Sequence, residues 1–166
     1  SVSPDNKKIT FTALNKLYVM DLDSNQITRL TSFEDETIEA MPNWGPDGKE
    51  IVFVTWNDNI GGSLYKVRSD GRREPFLLTQ SKERRINGVY MNPRWNPAGD
   101  RIVFTIGDAR NYKSSEGPGA FKSNEKIMWI SSKGGQLNYI SDSKGRSYPH
   151  FVDGKDRIYL FGNSKG

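Results

Sequence analysis

The sequence predicts an all-β protein built from repeated four-stranded antiparallel sheets. The first observation is a repeat: PNWGPDGKEIVF at 42–53 returns as PRWNPAGDRIVF at 93–104, with turn residues and apolar positions kept. The second is composition, because Gly 16, Pro 8 and an aromatic fraction of 11% in 166 residues favour short strands and tight turns over long helices. The third is that apolar runs such as IVF and LYVM have the length and residue types of strands.

The repeat can be placed four times along the chain. Its copies are SPDN with ITF at 3–11, PNWGPDG with IVF at 42–53, PRWNPAG with IVF at 93–104, and PHFVDG with IYLF at 149–161. A second block follows each of the first three copies, at 17–31, 64–79 and 127–141. Spacings of roughly 40–56 residues are those of blade-sized repeats.

Each repeat predicts a meander of four strands, A to D. In PDG at 46–48, Pro fixes φ, Asp caps the turn and Gly supplies a positive φ, so strands A and B reverse there. SDG at 69–71 and KGG at 133–135 mark the reversal between strands C and D. A sheet with apolar residues on both faces buries them only against other sheets, and radial packing of such sheets makes a β-propeller.

These residues carry a resemblance to a known family. The pattern P-x-W-x-P-D-G-K-x-I-V-F, followed by L-Y-V-M-D and R-L-T, resembles the WD-like repeat of the TolB family, which forms six-bladed propellers in bacterial envelope proteins. Within that family, residues 41–58 and 18–31 and the long insertion of the third unit are most similar to propellers fused ahead of amidohydrolase domains. The chain departs from the pattern at Gly45 and Asn96, where Ser is usual, and at Ala98, where Asp is usual. The resemblance implies a periplasmic or secreted location.

The repeat count predicts about half of a six-bladed ring. Residues 1–31 would supply strands B–D of one blade, 41–79 a full blade, 92–141 a full blade with a long insertion at 107–126, and 148–161 strands A–B of a fourth. An open arc exposes a blade face at each end, which monomers avoid. We therefore expect that the chain is a piece of a larger polypeptide, or that another copy or a companion domain completes the propeller.

Composition limits the classes of partner. The net charge of +4 and pI of 9.2 come from 24 basic and 20 acidic residues that are mostly interspersed, so we expect no nucleic-acid role. No apolar run approaches the ~20 residues of a membrane helix, so we expect no membrane insertion. The chain has no cysteine, which suits either the cytoplasm or the periplasm.

Strand order places the long connections on one face. The A–B and C–D turns are tight, whereas the B–C and D–A connections at 32–40, 56–63, 80–92 and 107–126 are long. Long loops on a rigid scaffold usually bind, although insertions also collect wherever they are tolerated. Carboxylates of FEDETIE at 33–39 and nearby basic residues suit docking by charge complementarity or serve solubility. The candidate binding residues in these connections are Trp56, Asp58, Arg84, Arg85, Arg110 and Tyr112.

A second candidate set lies in the P-x-W motif. Asn43, Arg94 and His150 occupy one position in three copies, on the strand nearest the propeller axis. They would form a polar ring in the channel, or they satisfy local backbone groups instead. The adjacent Trp44, Trp95 and Phe151 are predicted to pack between blades.

The sequence predicts no catalysis by this chain alone. It has one histidine, His150, whereas an amidohydrolase needs several, and it lacks G-x-S-x-G, P-loop and dinucleotide motifs. We expect no cofactor and no metal site. Two functions remain open: a protein-, peptide- or small-molecule-binding scaffold of the TolB kind, and the accessory, substrate-gating domain of a larger hydrolase of the amidohydrolase or peptidase type.

Overall fold

A computed structural model describes residues 1–79, 88–108, 125–152 and 155–162. The described residues form strands and turns, and among them no helix is long and apolar enough to cross a membrane. The strands are β1 (Lys8–Ala13), β2 (Lys16–Asp21), β3 (Ile27–Arg29), β4 (Ile38–Trp44), β5 (Glu50–Asn57), β6 (Gly61–Arg68), β7 (Phe76–Leu77), β8 (Gly88–Trp95), β9 (Arg101–Asp108), β10 (Lys126–Ser131), β11 (Asn138–Asp142), β12 (Arg146–Phe151) and β13 (Ile158–Gly162).

The strands assemble into four antiparallel sheets, which we call blades 1 to 4. Blade 1 has the order β1-β2-β3, blade 2 β4-β5-β6-β7, blade 3 β8-β9-β10-β11 and blade 4 β12-β13. Sequential neighbours pair in every sheet, as expected of a meander. The predicted all-β fold of four-stranded antiparallel blades is confirmed.

The A–B turns show how the repeat tolerates its departures from the family pattern. In blade 2, Gly48 has φ 69° and its N–H donates to the Gly45 carbonyl at 3.0 Å. In blade 3, Gly99 has φ 73° and donates to the Asn96 carbonyl at 3.0 Å. The Asn96 side chain closes this turn, because its Oδ1 accepts from the N–H groups of Asp100 and Arg101 at 3.1 and 2.9 Å. The Asn96 amide oxygen thus accepts turn hydrogen bonds, as a serine hydroxyl can do at this position.

The core lies between blades. Leu17 and Val19 of blade 1 pack with Trp44, Ile51 and Phe53 of blade 2. Across the next interface, side chains of blade 2 pack with Trp95 and its neighbours in blade 3; the buried members are Val52, Val54, Leu64, Leu78, Tyr90, Trp95, Ile102, Phe104, Ile106 and Ile130. The predicted inter-blade packing of the two tryptophans is confirmed.

Every strand A carries the same irregularity. The pairing register shifts between Ala40 and Asn43 in β4, between Met91 and Arg94 in β8, and between Ser147 and His150 in β12. In each case the residue before the proline has a positive φ, and these residues are Met41 (54°), Asn92 (52°) and Tyr148 (54°). Such bulges bend a strand and turn its side chains in new directions. Here they shape one end of the three blades.

Candidate binding cleft

A cleft opens at the end of the blades where the B–C and D–A connections meet. Its volume is about 500 Å³. It is lined by the first residues of β4, β8 and β12 together with the end of β5, which brings three strands A to one site. The lining residues are Ile38, Ala40, Met41, Val54, Thr55, Trp56, Val89, Tyr90, Met91, Asn92, Glu125, Gly145, Arg146, Ser147 and Tyr148.

The three bulges form much of the cleft wall. Met41, Asn92 and Tyr148 all line it, and each holds a left-handed backbone. That conformation is uncommon for residues other than glycine and asparagine, and it persists only where the surrounding structure imposes it. Side chains of Met41 and Tyr148 remain 42% and 55% exposed, so the bulges present apolar groups to solvent.

Contacts between blades fix the wall. The Asn92 N–H donates to the Met41 sulfur at 3.2 Å, which links the bulges of β4 and β8. Elsewhere in the same interface, a Cβ added to Gly62 would lie 2.5 Å from the Gly88 carbonyl oxygen. Backbone therefore approaches backbone there, and only glycine fits at position 62.

The cleft is apolar with a few polar groups at its edges. The Trp56 Nε1–H donates to Asp58 Oδ1 at 2.9 Å, which orients the indole at the rim. Burial raises the pKa of the Tyr90 hydroxyl, and a hydrogen bond with Thr79 acts in the opposite direction. Arg146 is exposed, and its Nε donates to the Ser143 carbonyl at 3.2 Å. Apolar walls with a small number of oriented polar groups are typical of ligand sites.

The predicted polar ring residues contact backbone groups, Arg94 and His150 within their own strands and Asn43 across the interface between blades 2 and 3. Asn43 Oδ1 accepts from the Trp95 N–H at 3.3 Å, and the Arg94 guanidinium donates to the Pro93 carbonyl at 2.9 Å. Burial lowers the pKa of Arg94. His150 Nδ1 lies 2.9 Å from the Tyr148 carbonyl oxygen. These contacts do not test a shared channel, so the polar ring stays a prediction.

The loop candidates divide into two groups. Trp56 lines the cleft, and Asp58 is its hydrogen-bond partner at the rim. The other four candidates, Arg84, Arg85, Arg110 and Tyr112, lie outside the described residues.

Sequence reasoning missed the bulge residues Met41, Asn92 and Tyr148. The signal was present, since each immediately precedes the proline that opens its copy of the repeat. The repeat pattern predicts only that strand A ends at P-x-W, whereas the structure places a bulge at its proline.

The acidic connection between β3 and β4 differs from its expected form. Glu39 is only 1% exposed, so it does not join Glu34, Asp35 and Glu36 on the surface. Its Oε2 accepts from the Leu17 N–H at 3.0 Å and from the Thr31 hydroxyl, while Oε1 has no hydrogen-bond partner. It therefore joins blade 1 to blade 2.

Lys16 also binds the connection between β3 and β4. Its side chain is buried, and Nζ donates to the carbonyls of Phe33, Glu34 and Thr37 at 3.4, 2.6 and 3.2 Å. These bonds hold the backbone of residues 33–37 next to the cleft residue Ile38. Among the described residues, no group of three or more His, Cys, Asp or Glu side chains could hold a metal ion.

Comparison with known proteins supports the fold. No protein-family model matches the chain. An uncharacterised protein of Agrobacterium fabrum is 34% identical over 115 residues, which are 64% of this chain and 35% of that protein. A TolB-type structure from Agrobacterium tumefaciens has a TM-score of 0.65 and 26% identity, covering 83% of this chain and 46% of that one. The chain thus spans less than half the length of these relatives, and it has a TolB-like β-propeller fold.

Enzymes share this fold as well. An oligogalacturonate lyase from Vibrio parahaemolyticus has a TM-score of 0.66 and 16% identity, covering 90% of this chain and 40% of that one. A prolyl endopeptidase has a TM-score of 0.65 and 16% identity, covering 96% of this chain and 24% of that one. At such identities the likeness shows the fold alone, because one fold carries many functions.

Proposed function

We propose that this TolB-like propeller is a non-catalytic scaffold that binds a protein or a smaller ligand in the cleft. The observation that carries the proposal is the cleft of about 500 Å³, built by three consecutive strands A. Its volume falls within the range of about 300–1,000 Å³ that is usual for ligand sites. Its position at the end where the long connections meet is where a scaffold of this kind is expected to bind.

The wall chemistry supports binding of apolar groups. Met41 and Met91 flank the cleft, and Trp56 and Tyr148 add aromatic surface. Flexible thioethers fill irregular gaps and tolerate different partners, while aromatic side chains supply much of the binding energy at interfaces. The bulges hold these groups on strands, and rigid elements present a site more accurately than loops do.

A single labelled cysteine can report binding at the cleft. Because the chain has no cysteine of its own, Ser147→Cys labelled with acrylodan places one dye in the cleft wall. Peptides selected from a random phage-displayed pool on the immobilised protein are then titrated. We expect a saturable emission shift, because an apolar ligand displaces water from around the dye.

The matched control places the dye at the opposite end of the blades. Ser132→Cys lies in the turn between β10 and β11, and its label should not respond. Met41→Asp adds a charge to the cleft wall and should abolish the response at Ser147→Cys. A response at position 132 alone, or no enriched peptide, contradicts the proposal.

A companion segment is proposed to cover blade 4. Its two strands leave Ile158 38% and Phe161 65% exposed, which supports burial against a further sheet. A monodisperse monomer by light scattering that binds no apolar dye would contradict this proposal, and a dimer would identify a second copy as the cover.

The second candidate function is an accessory, substrate-gating domain of a larger hydrolase. The observation that favours it is the prolyl endopeptidase match, in which this chain spans 24% of the longer protein. An immunoblot of native extracts tests it, because a hydrolase parent would migrate several times above the 18.8 kDa of this chain. For either function we propose a periplasmic or secreted location, and cell fractionation of the native protein checks it.

A further inference from the structure

Resting on the binding function above, we propose that the cleft and its rim bind a polypeptide segment with an apolar anchor followed by basic residues. The observations concern the rim, which is built from the tips of two hairpins. Leu14, at the tip between β1 and β2, is 93% exposed. Ile60, at the tip between β5 and β6, is 79% exposed.

Both tips lie at the cleft end of the blades. The β5–β6 tip joins the second and third strands of blade 2, and the β1–β2 tip joins the two strands that the repeat assigns as B and C of blade 1. The cleft is lined by the starts of strands A of blades 2, 3 and 4. Polar residues and glycine usually occupy such turns. Leu14 moreover holds a φ of 49°, a conformation that leucine rarely adopts. Large apolar residues at two neighbouring tips therefore indicate a contact surface.

The tips and the cleft are continuous along the edge of the blades. The Glu39 N–H donates to the Asn15 carbonyl at 3.0 Å, so the Leu14 tip lies beside the start of β4. Ile38 then pairs with Trp56 across β4 and β5, and both residues line the cleft. The short turn after β5 leads from Trp56 to Ile60. Apolar side chains therefore stand at intervals along this edge, from Leu14 through Ile38 and Trp56 to Ile60, with the polar residues 57–59 between the last two.

Charge decides which apolar partner fits. Glu34, Asp35 and Glu36 are exposed beside the Leu14 tip, and the three carbonyl contacts of Lys16 hold their backbone in place. Lys16 and Arg29 contact this loop through its backbone carbonyls, so two cations stand beside three exposed carboxylates and the sector keeps a net negative charge. A basic segment complements this sector, whereas an anionic lipid surface would be repelled.

Two peptides with the same apolar anchor test the partner class. Fluorescein-labelled Leu-Phe-Gly-Lys-Lys-Lys and Leu-Phe-Gly-Glu-Glu-Glu are titrated by fluorescence polarisation at low and high salt. We expect the lysine peptide to bind about tenfold more tightly at low salt. Two or three surface ion pairs would each strengthen binding a few-fold, and these factors multiply. The ratio should fall towards one at high salt, because ions screen exposed charges.

Variants separate the rim from the cleft. Glu34→Gln, Asp35→Asn and Glu36→Gln together should remove the lysine preference and leave the anchor contribution. Asp23→Asn, in the turn between β2 and β3 at the other end of blade 1, should leave the preference unchanged. Leu14→Ser with Ile60→Ser should weaken the binding of both peptides several-fold, because the apolar surface of the tips is lost. The two tips lie on the surface, so the core stays intact.

The possible results of these titrations contradict different parts of the proposal. Equal binding of both peptides, or a preference that survives the triple variant, overturns the basic partner and leaves the cleft function standing. Absence of binding by either peptide overturns the inference, while the cysteine-label titration decides the proposed function separately. If the protein binds phosphatidylglycerol vesicles and the variant Leu14→Ser with Ile60→Ser does not, the partner of this surface is a membrane and not a polypeptide.

Discussion

Replacing Glu39 with alanine should destabilise the protein strongly, although the residue belongs to an acidic surface stretch by sequence. Glu39 is 1% exposed and accepts hydrogen bonds from the Leu17 N–H and the Thr31 hydroxyl. Leu17 lies in β2 of blade 1 and Thr31 in the connection that follows β3, whereas Glu39 lies in β4 of blade 2. The substitution therefore removes the acceptor for two donors at the interface between the blades.

The magnitude follows from those contacts. A buried donor left without a partner costs about 1–3 kcal/mol, and the truncated side chain leaves a cavity as well. We expect a loss of about 3–5 kcal/mol in the free energy of unfolding for Glu39→Ala, a large part of the total stability of a small domain. Glu39→Gln keeps one oxygen as acceptor and should lose only about 1 kcal/mol. Thr31→Val removes one donor at nearly constant volume and should also lose about 1 kcal/mol.

Urea denaturation followed by circular dichroism measures these differences. The three variants are compared with the parent protein at pH 7, with m-values checked so that the midpoints report stability. The expected order of loss is Glu39→Ala first, with Glu39→Gln and Thr31→Val close together. If the free energy of unfolding of Glu39→Ala lies within about 1 kcal/mol of that of the parent, the carboxylate does not join the blades as described.

Three further changes test other contacts. Gly62→Ala places a methyl group 2.5 Å from the Gly88 carbonyl oxygen, so blades 2 and 3 must separate; we expect a loss of about 1–3 kcal/mol in thermal denaturation. Lys16→Met removes the donor shared by three carbonyls of residues 33–37, and a glutamate-specific protease should cut this loop roughly tenfold faster. The hydrogen bond from Arg68 lowers the pKa of Asp70, so this carboxylate stabilises the fold above its unfolded pKa of about 3.9 and the contribution is lost as pH falls. The melting temperatures of Asp70→Asn and the parent should therefore differ at pH 6, and the difference should shrink steadily as pH falls below about 3.9.

Local patterns were sufficient for the turns and strands. The PDG turn predicted a reversal, and Gly48 has the positive φ that this reversal needs. Trp44 and Trp95 were identified as inter-blade residues from their place in the P-x-W motif. Both are buried between blades, as predicted.

The candidate site was only partly predictable. Trp56 was singled out as the start of a long connection at 56–63, but the structure places it in β5, and only residues 58–60 separate β5 from β6. Met41, Asn92 and Tyr148 were missed because their shared signal is a position before proline and not a residue type. The position of Glu39 was unpredictable for a similar reason. The other acids of its stretch, Glu34, Asp35 and Glu36, are exposed. Its hydrogen-bond partners Leu17 and Thr31 lie 22 and 8 residues earlier in the chain.

The sequence by itself determined the repeat, its turns and the all-β class, because turn chemistry and strand propensity act over a few neighbouring residues. Only the tertiary structure decided which side chains meet. Three bulges from separate blades make one cleft, and a carboxylate from an acidic loop becomes an inter-blade link, because both depend on contacts between residues far apart in the chain.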